Sequence, residues 1–239
     1  MTDNPPPLGA GPSDHISTVL RMGVSAIPVA GGAFSELITR IIPGVRVDRI
    51  EEYLRWLTEK LQDLTDAQKA EKLADPEKIW IFEEGAYQSA RGTSEMRREQ
   101  IANIVAAGIA GEIKASTEAR RLLNLISQVD DAQIIILASY LTSNMFDNDY
   151  QKRHENILTG PALHMKSPRQ DIDRGAVHDL GKSQLVTLGL LSPQYKRLKK
   201  GEMPEFDPKT GMMKRTGYQL TPLGRLLLRR VGLASEDEV

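Results

Sequence analysis

The run from Leu185 to Val231 constrains this chain more than any other stretch, because it ends in a helix whose start is written into the sequence. In YQLTPLGRLLLRRV, Thr221 is placed to cap the first turn with its side-chain oxygen. Pro222 follows at the first helical position, where its missing N–H costs nothing. Leu223, Leu226, Leu227 and Val231 are expected to form one apolar face, with Arg225, Arg229 and Arg230 around the rest. The last two arginines sit where the helix dipole is negative. Upstream, the word LVTLGLL predicts a helix ending at Gly189, with Leu190 and Leu191 plugging a core and Ser192-Pro193 stopping the helix. Between the two helices lies a long Lys/Arg-rich segment, flanked by short strands expected near Tyr195–Leu198 and Tyr218–Leu220. Helix, apolar plug, two-stranded wing and closing helix together make the second half of a winged helix.

The rest of the chain reads as helical. The expected fold is mainly α, a multi-helix N-terminal body followed by a winged-helix-like C-terminal domain with a small β-hairpin wing. Residues 1–12 are Pro/Gly-rich and expected to be disordered. A helical domain is expected over 13–115 and the winged-helix-like domain over 116–233, with a polar insertion near 142–167 and an acidic tail over 234–239. Val47, Ile50, Leu54, Leu57, Leu61 and Leu64 are spaced as a short a/d seam. Packing inside the chain is the simpler use of that seam, and self-association through Ile50, Leu54, Leu57 and Leu61 the alternative. Thr65 with Gln68, Asp75-Pro76, Thr93 or Ser94, Ser116, and Asp130 or Asp131 mark helix starts. Alanines and glycines over Ala106–Gly111 predict a closely crossing neighbour. Ile134, Ile135, Leu137, Ala138 and Leu141 form a helix apolar nearly all round, which belongs at a domain centre.

Charge locates the candidate contact surface. The formal net charge of -1 conceals an asymmetry: Tyr195–Arg230 holds ten Lys/Arg against three Asp/Glu, so the remainder is acidic. The absence of cysteine excludes disulfides and thiolate metal sites and suits a reducing cytoplasm, the expected location. The acidic, Pro/Gly-rich start does not read as a signal peptide. Ile16–Ile42 is apolar but broken by Pro28, Gly31 and Gly32. It reads as a buried helical hairpin or, alternatively, as a segment that inserts into a membrane. Arg21, Glu36 and Arg40 weigh against insertion.

The words ANIVAAGIAGE, LLNLISQVDDAQIIIL, LVTLGLL and YQLTPLGRLLL, in that order, resemble the Abi-alpha abortive-infection family of bacterial and phage-associated proteins. The resemblance runs from about Met96 to Leu233. It rests most on Asp131-Ala132, the LGLL plug and the LTPLG corner. It implies a helical body with a winged-helix-like end and a part in phage defence, and it brings no catalytic residue with it.

Phosphate neutralisation by clustered Lys and Arg gives salt-sensitive, largely sequence-independent affinity. Lys182, Lys196, Arg197, Lys199, Lys200, Lys214 and Arg215, with Lys209, are therefore the candidate contacts for nucleic acid or an acidic protein partner. The candidate recognition helix carries Arg169, Arg174 and Lys182 against Asp171, Asp173 and Asp179, so phosphate contact by the wing is favoured over base reading. His154, His164 and His178 match no metal-ligand spacing. GGAFSELITR lacks a Walker lysine, and the capping serines lack a nucleophile elbow. The expectation is a non-enzymatic protein with neither cofactor nor metal. The alternatives are the membrane-inserting effector and a helical scaffold.

Overall fold

The computed structural model describes residues 47–235 apart from 112, 163, 165, 209 and 210. The Ile16–Ile42 segment, on which the membrane reading rests, lies outside the described residues. Eleven helices and one two-stranded antiparallel sheet are present among those described, so the protein is mainly helical. The chain divides into two compact units between Ser127 and Gln128.

The first unit contains α1 (Val47–Lys60), α2 (Asp66–Leu73), α3 (Pro76–Arg91), α4 (Glu95–Ala110) and α5 (Ile113–Ile126). Helix α5, expected to be the first helix of the winged-helix domain, packs in this unit against α4 and α3. Local chemistry sets the helix starts. Thr65 and Gln68 exchange backbone and side-chain hydrogen bonds before α2. Asp75 caps α3 through the Glu77 amide, with Pro76 following. Ser94 caps α4 through the Arg97 amide. Ser116 is no cap: it lies inside α5, fully buried, donating to the Gly108 carbonyl at 3.4 Å.

Helix α4 is the centre of the unit, with Ile101, Ala102, Ile104, Val105 and Ile109 buried on different sides. The predicted close crossing occurs at Gly108, where a Cβ would fall 2.6 Å from Ala119 Cβ of α5. The α1 seam is used within the chain. Ile50, Leu57 and Leu61 are buried, Leu54 is half-buried, and α1 packs on α4 and α3.

Cations close the helix ends. Lys72 and Lys78 donate to the Ala110 and Gly111 carbonyls at 2.8 and 3.0 Å, where the α4 dipole is negative. Burial, and secondarily Lys72, lowers the Lys78 pKa. Arg97 donates to the last carbonyl of α5, Ile126, at 3.1 Å. Arg98 pairs with Glu52 of α1 and donates to the Gly92 carbonyl. These buried guanidinium groups satisfy carbonyls that have no intrahelical donor.

The second unit contains α6 (Asp131–Ala138), α7 (Thr142–Met145), α8 (Asn148–Arg153), α9 (Glu155–Leu158), α10 (Arg169–Thr187), β1 (Leu191–Tyr195), β2 (Arg215–Leu220) and α11 (Pro222–Arg230). A complete capping box opens α6, Asp130 accepting from the Gln133 amide while Gln133 accepts from the Asp130 amide. The remaining Gln133 donors reach α10, at the Gly181 carbonyl and the Gln184 side chain, 3.1 and 3.0 Å away. The expected insertion contains three short helices, tied to α6 by the Tyr150 hydroxyl donating to the Ile135 carbonyl at 2.9 Å.

Helix α10 ends as LVTLGLL predicts. Gly189 has φ +71°, and the Gly189 and Leu190 amides return to the Val186 and Leu185 carbonyls. That pattern is the Schellman motif, and the apolar residues either side of it, Leu185 and Leu190, are both fully buried. The strands differ from expectation. The first begins at Leu191 rather than near Tyr195, so Ser192 and Pro193 lie in β1 rather than acting as a helix stop. A two-stranded sheet has only edge strands, and an edge admits proline where its missing N–H faces away from the partner. Leu191 pairs with Leu220 and Pro193 with Tyr218, with a bulge between Gln194 and Tyr195.

The closing helix buries Leu227 and Val231 of the expected face, but the face is turned toward Gly224 and Leu228 and away from Leu223. Leu223 is exposed, while Gly224, Leu227, Leu228 and Val231 are buried. Thr221 explains the rotation. Its hydroxyl donates to the Gly189 carbonyl at 2.6 Å, its amide donates to the Leu190 carbonyl, and its Oγ1 accepts from the Gly224 amide. These bonds press the first turn of α11 onto the α10–β1 turn and turn Gly224 inward.

Candidate interaction surface on the wing

The wing extends past the β1–β2 ladder. After the bulge, residues 196–204 leave the sheet, and the chain pairs again near its far end. The Lys214 amide donates to the Glu205 carbonyl, Phe206 bridges Met213, and the Asp207 amide donates to the Met212 carbonyl. One connected hairpin therefore carries the predicted contacts Lys196, Arg197, Lys199, Lys200, Lys214 and Arg215, all exposed. Lys182 is elsewhere, half-buried on α10. Lys209 lies outside the described residues.

The wing cations differ in what they meet. Lys196 holds Glu202 at 2.6 Å, and Glu202 also accepts from the Lys199 amide at 3.0 Å. The Lys196 ammonium, then that amide, holds the Glu202 carboxyl below the usual carboxylate range. Lys214 pairs with Glu205 at 3.3 Å. Arg215 donates to the Tyr218 hydroxyl, its guanidinium 5.3 Å from the ring centroid. Tyr140 lies close enough to Tyr218 for burial and that neighbour to raise its pKa. Arg197, Lys199 and Lys200 have no side-chain ion pair among the described residues.

The charge pattern gave no sign of the apolar side chains beside these cations. Met203 is 82% exposed, Met212 73% and Phe206 56%, with Tyr195, Leu198 and Met213 also exposed. Their signal in the sequence was residue type alone, in EMPEF and GMM. A cleft of about 180 Å³ is lined by Leu198, Met203 and Met213 together with Lys196, Lys214 and Arg215, and by one carboxylate, Glu205.

Helix α10 presents a mixed surface. Ile172, Val177 and Leu180 are exposed, and Asp171 pairs with Arg174. The histidines remain apart in role: His178 lies against the Leu158 carbonyl, and His164 meets Ser167. No group of metal-binding side chains occurs among the described residues, and no described helix is long and apolar enough to cross a membrane. Neither a family model, nor a curated protein, nor a solved structure matches the chain.

Proposed function

We propose that this is a non-enzymatic, cytoplasmic protein of phage defence or its regulation, whose basic wing binds nucleic acid or an acidic protein partner. The observation that carries the reading is the exposed set Arg197, Lys199 and Lys200, without ion pairs among the described residues, on the hairpin that also bears the Arg215–Tyr218 stack. Such a set neutralises phosphates or carboxylates without bending the chain to reach them. The order α6, α10, β1, β2, α11 supports a winged-helix-like reading of the second unit. The defence assignment rests on the resemblance carried by the LGLL plug and LTPLG corner.

The acidic-protein reading has its own support. The wing displays Met, Phe and Tyr next to its cations, a composition typical of protein interfaces. The exposed Ile172, Val177 and Leu180 of α10 lie among Asp171, Asp173 and Asp179, whose negative charge opposes approach to phosphates.

The test is purification without nuclease, followed by heparin chromatography. Co-eluting nucleic acid supports the first branch. Retention on heparin that falls sharply in Lys199→Glu/Lys200→Glu supports the wing as the contact surface. Equal elution of variant and parent removes it.

A further inference from the structure

We infer that the wing cleft receives one apolar side chain of an acidic polypeptide segment, with the surrounding cations holding carboxylates on either side of that anchor. The inference rests on the acidic-protein branch of the proposed function and deepens it.

Three observations converge on the cleft. Its size is one. About 180 Å³ is well below the roughly 300–1,000 Å³ of a small-molecule pocket, so it suits a single side chain rather than a metabolite. Its chemistry is another. Leu198, Met203 and Met213 line it, and methionine adapts its shape to differing apolar partners. The outer phosphates of a duplex offer little apolar surface to meet them, whereas an acidic segment with an interspersed Leu, Ile or Phe offers a whole side chain.

The third is how the cleft already handles charge. Two of its lining cations hold carboxylates of the chain itself, Lys196 with Glu202 and Lys214 with Glu205. Carboxylate is thus the anion these side chains meet in the resting wing. Arg197, Lys199 and Lys200 adjoin the cleft in sequence and have no side-chain ion pair among the described residues. They remain for a partner's carboxylates, while the Lys196 and Lys214 pairs can exchange theirs. Both pairs are solvent-exposed, so exchange costs little.

The experiment uses the full chain and three fluorescein-labelled probes read by anisotropy at fixed salt. These are a short peptide of Glu and Ser with a central Phe, the same peptide with Ser replacing Phe, and a short DNA duplex. The Phe peptide should bind about tenfold tighter than the Ser peptide. Met203→Ser, at a position 82% exposed and so without effect on folding, should erase that difference and leave the Ser peptide unchanged. Lys199→Glu/Lys200→Glu should weaken both peptides. Equal affinity for the two peptides, or a Phe preference that survives Met203→Ser, overturns the inference. Binding of the duplex alone overturns it too and leaves the nucleic-acid branch standing. Binding of none of the three removes both the inference and the polyanion reading beneath it.

Discussion

Gly224 lies so close to the carbonyl oxygen of Leu190 that a Cβ added to it would overlap that oxygen. That contact joins the closing helix to the turn from which the wing departs. A Cβ at this position would also fall 2.8 Å from Leu220 Cδ1. Since the carbonyl is fixed in the turn and accepts the Thr221 amide, the backbone itself must shift to admit alanine. Gly224→Ala should therefore destabilise the second unit by about 1–3 kcal/mol, despite alanine's better helix propensity. Thermal denaturation followed by circular dichroism measures it. An unchanged or raised midpoint would show that the contact is loose.

Gln133 serves two purposes, and its replacement should cost more than loss of its capping partner. Asp130→Ala removes a cap and should cost about 1 kcal/mol. Gln133→Ala removes the reciprocal cap bond and leaves the Gly181 carbonyl of α10 without its side-chain donor. The loss should reach about 2 kcal/mol. Urea titration of both variants separates the two roles.

The α1 seam should behave as core. Leu57→Lys puts an ammonium among residues that include Ile50 and Leu61, all at or below 3% exposure. The loss should be at least about 3 kcal/mol, seen as early unfolding of the first unit in denaturant. Light scattering of the parent protein is the complementary measurement. A variant that stayed folded while changing only the oligomeric state would return the seam to a partner-binding role.

Alkaline pH should loosen the second unit. Burial raises the Tyr150 hydroxyl to about 12, against an ordinary value of 10.0. Below the ordinary value both folded and unfolded forms keep the proton, and there is no effect. Between the two values the unfolded chain ionises first, so it binds fewer protons and stability falls as pH rises. Tyr150→Phe should flatten that fall, and should cost about 1 kcal/mol at neutral pH for the lost bond to the Ile135 carbonyl. Denaturation midpoints across the alkaline range decide it.

If the wing meets phosphate, two lysines carry a countable share of the salt dependence. Replacing Lys199 and Lys200 together should reduce the slope of log affinity against log salt by about 1.8 for duplex DNA. An unaltered slope would place the phosphate contacts elsewhere.

What the sequence disclosed and what it withheld follow from the range of the interactions. Asp75, Ser94, Asp130 and Thr221 cap as their residue types and neighbours imply, because a cap closes within three residues. Gly189 ends its helix for the same reason. The face that α11 buries is only half legible, in Leu227 and Val231, because leucines surround the helix. The choice among them is made by a contact between Gly224 and Leu190, residues distant in the chain. The start of the first strand is hidden because Pro193 resembles a helix stop, and only its position on an edge makes it a strand residue. The wing cations were visible as charge. The cleft was not, since it depends on the bulge at Gln194/Tyr195 and on the second pairing between Phe206 and Met213.

Of the described residues between Tyr195 and Gln219, none is buried, whereas Leu190, Leu191 and Leu220 at the wing's root are. Shortening the hairpin's outer part to a tight turn between Tyr195 and Arg215, which already pair, should leave the helices intact. Substitutions in the outer wing therefore act on exposed side chains, and the hydrophobic interior that keeps the chain folded stays as it is.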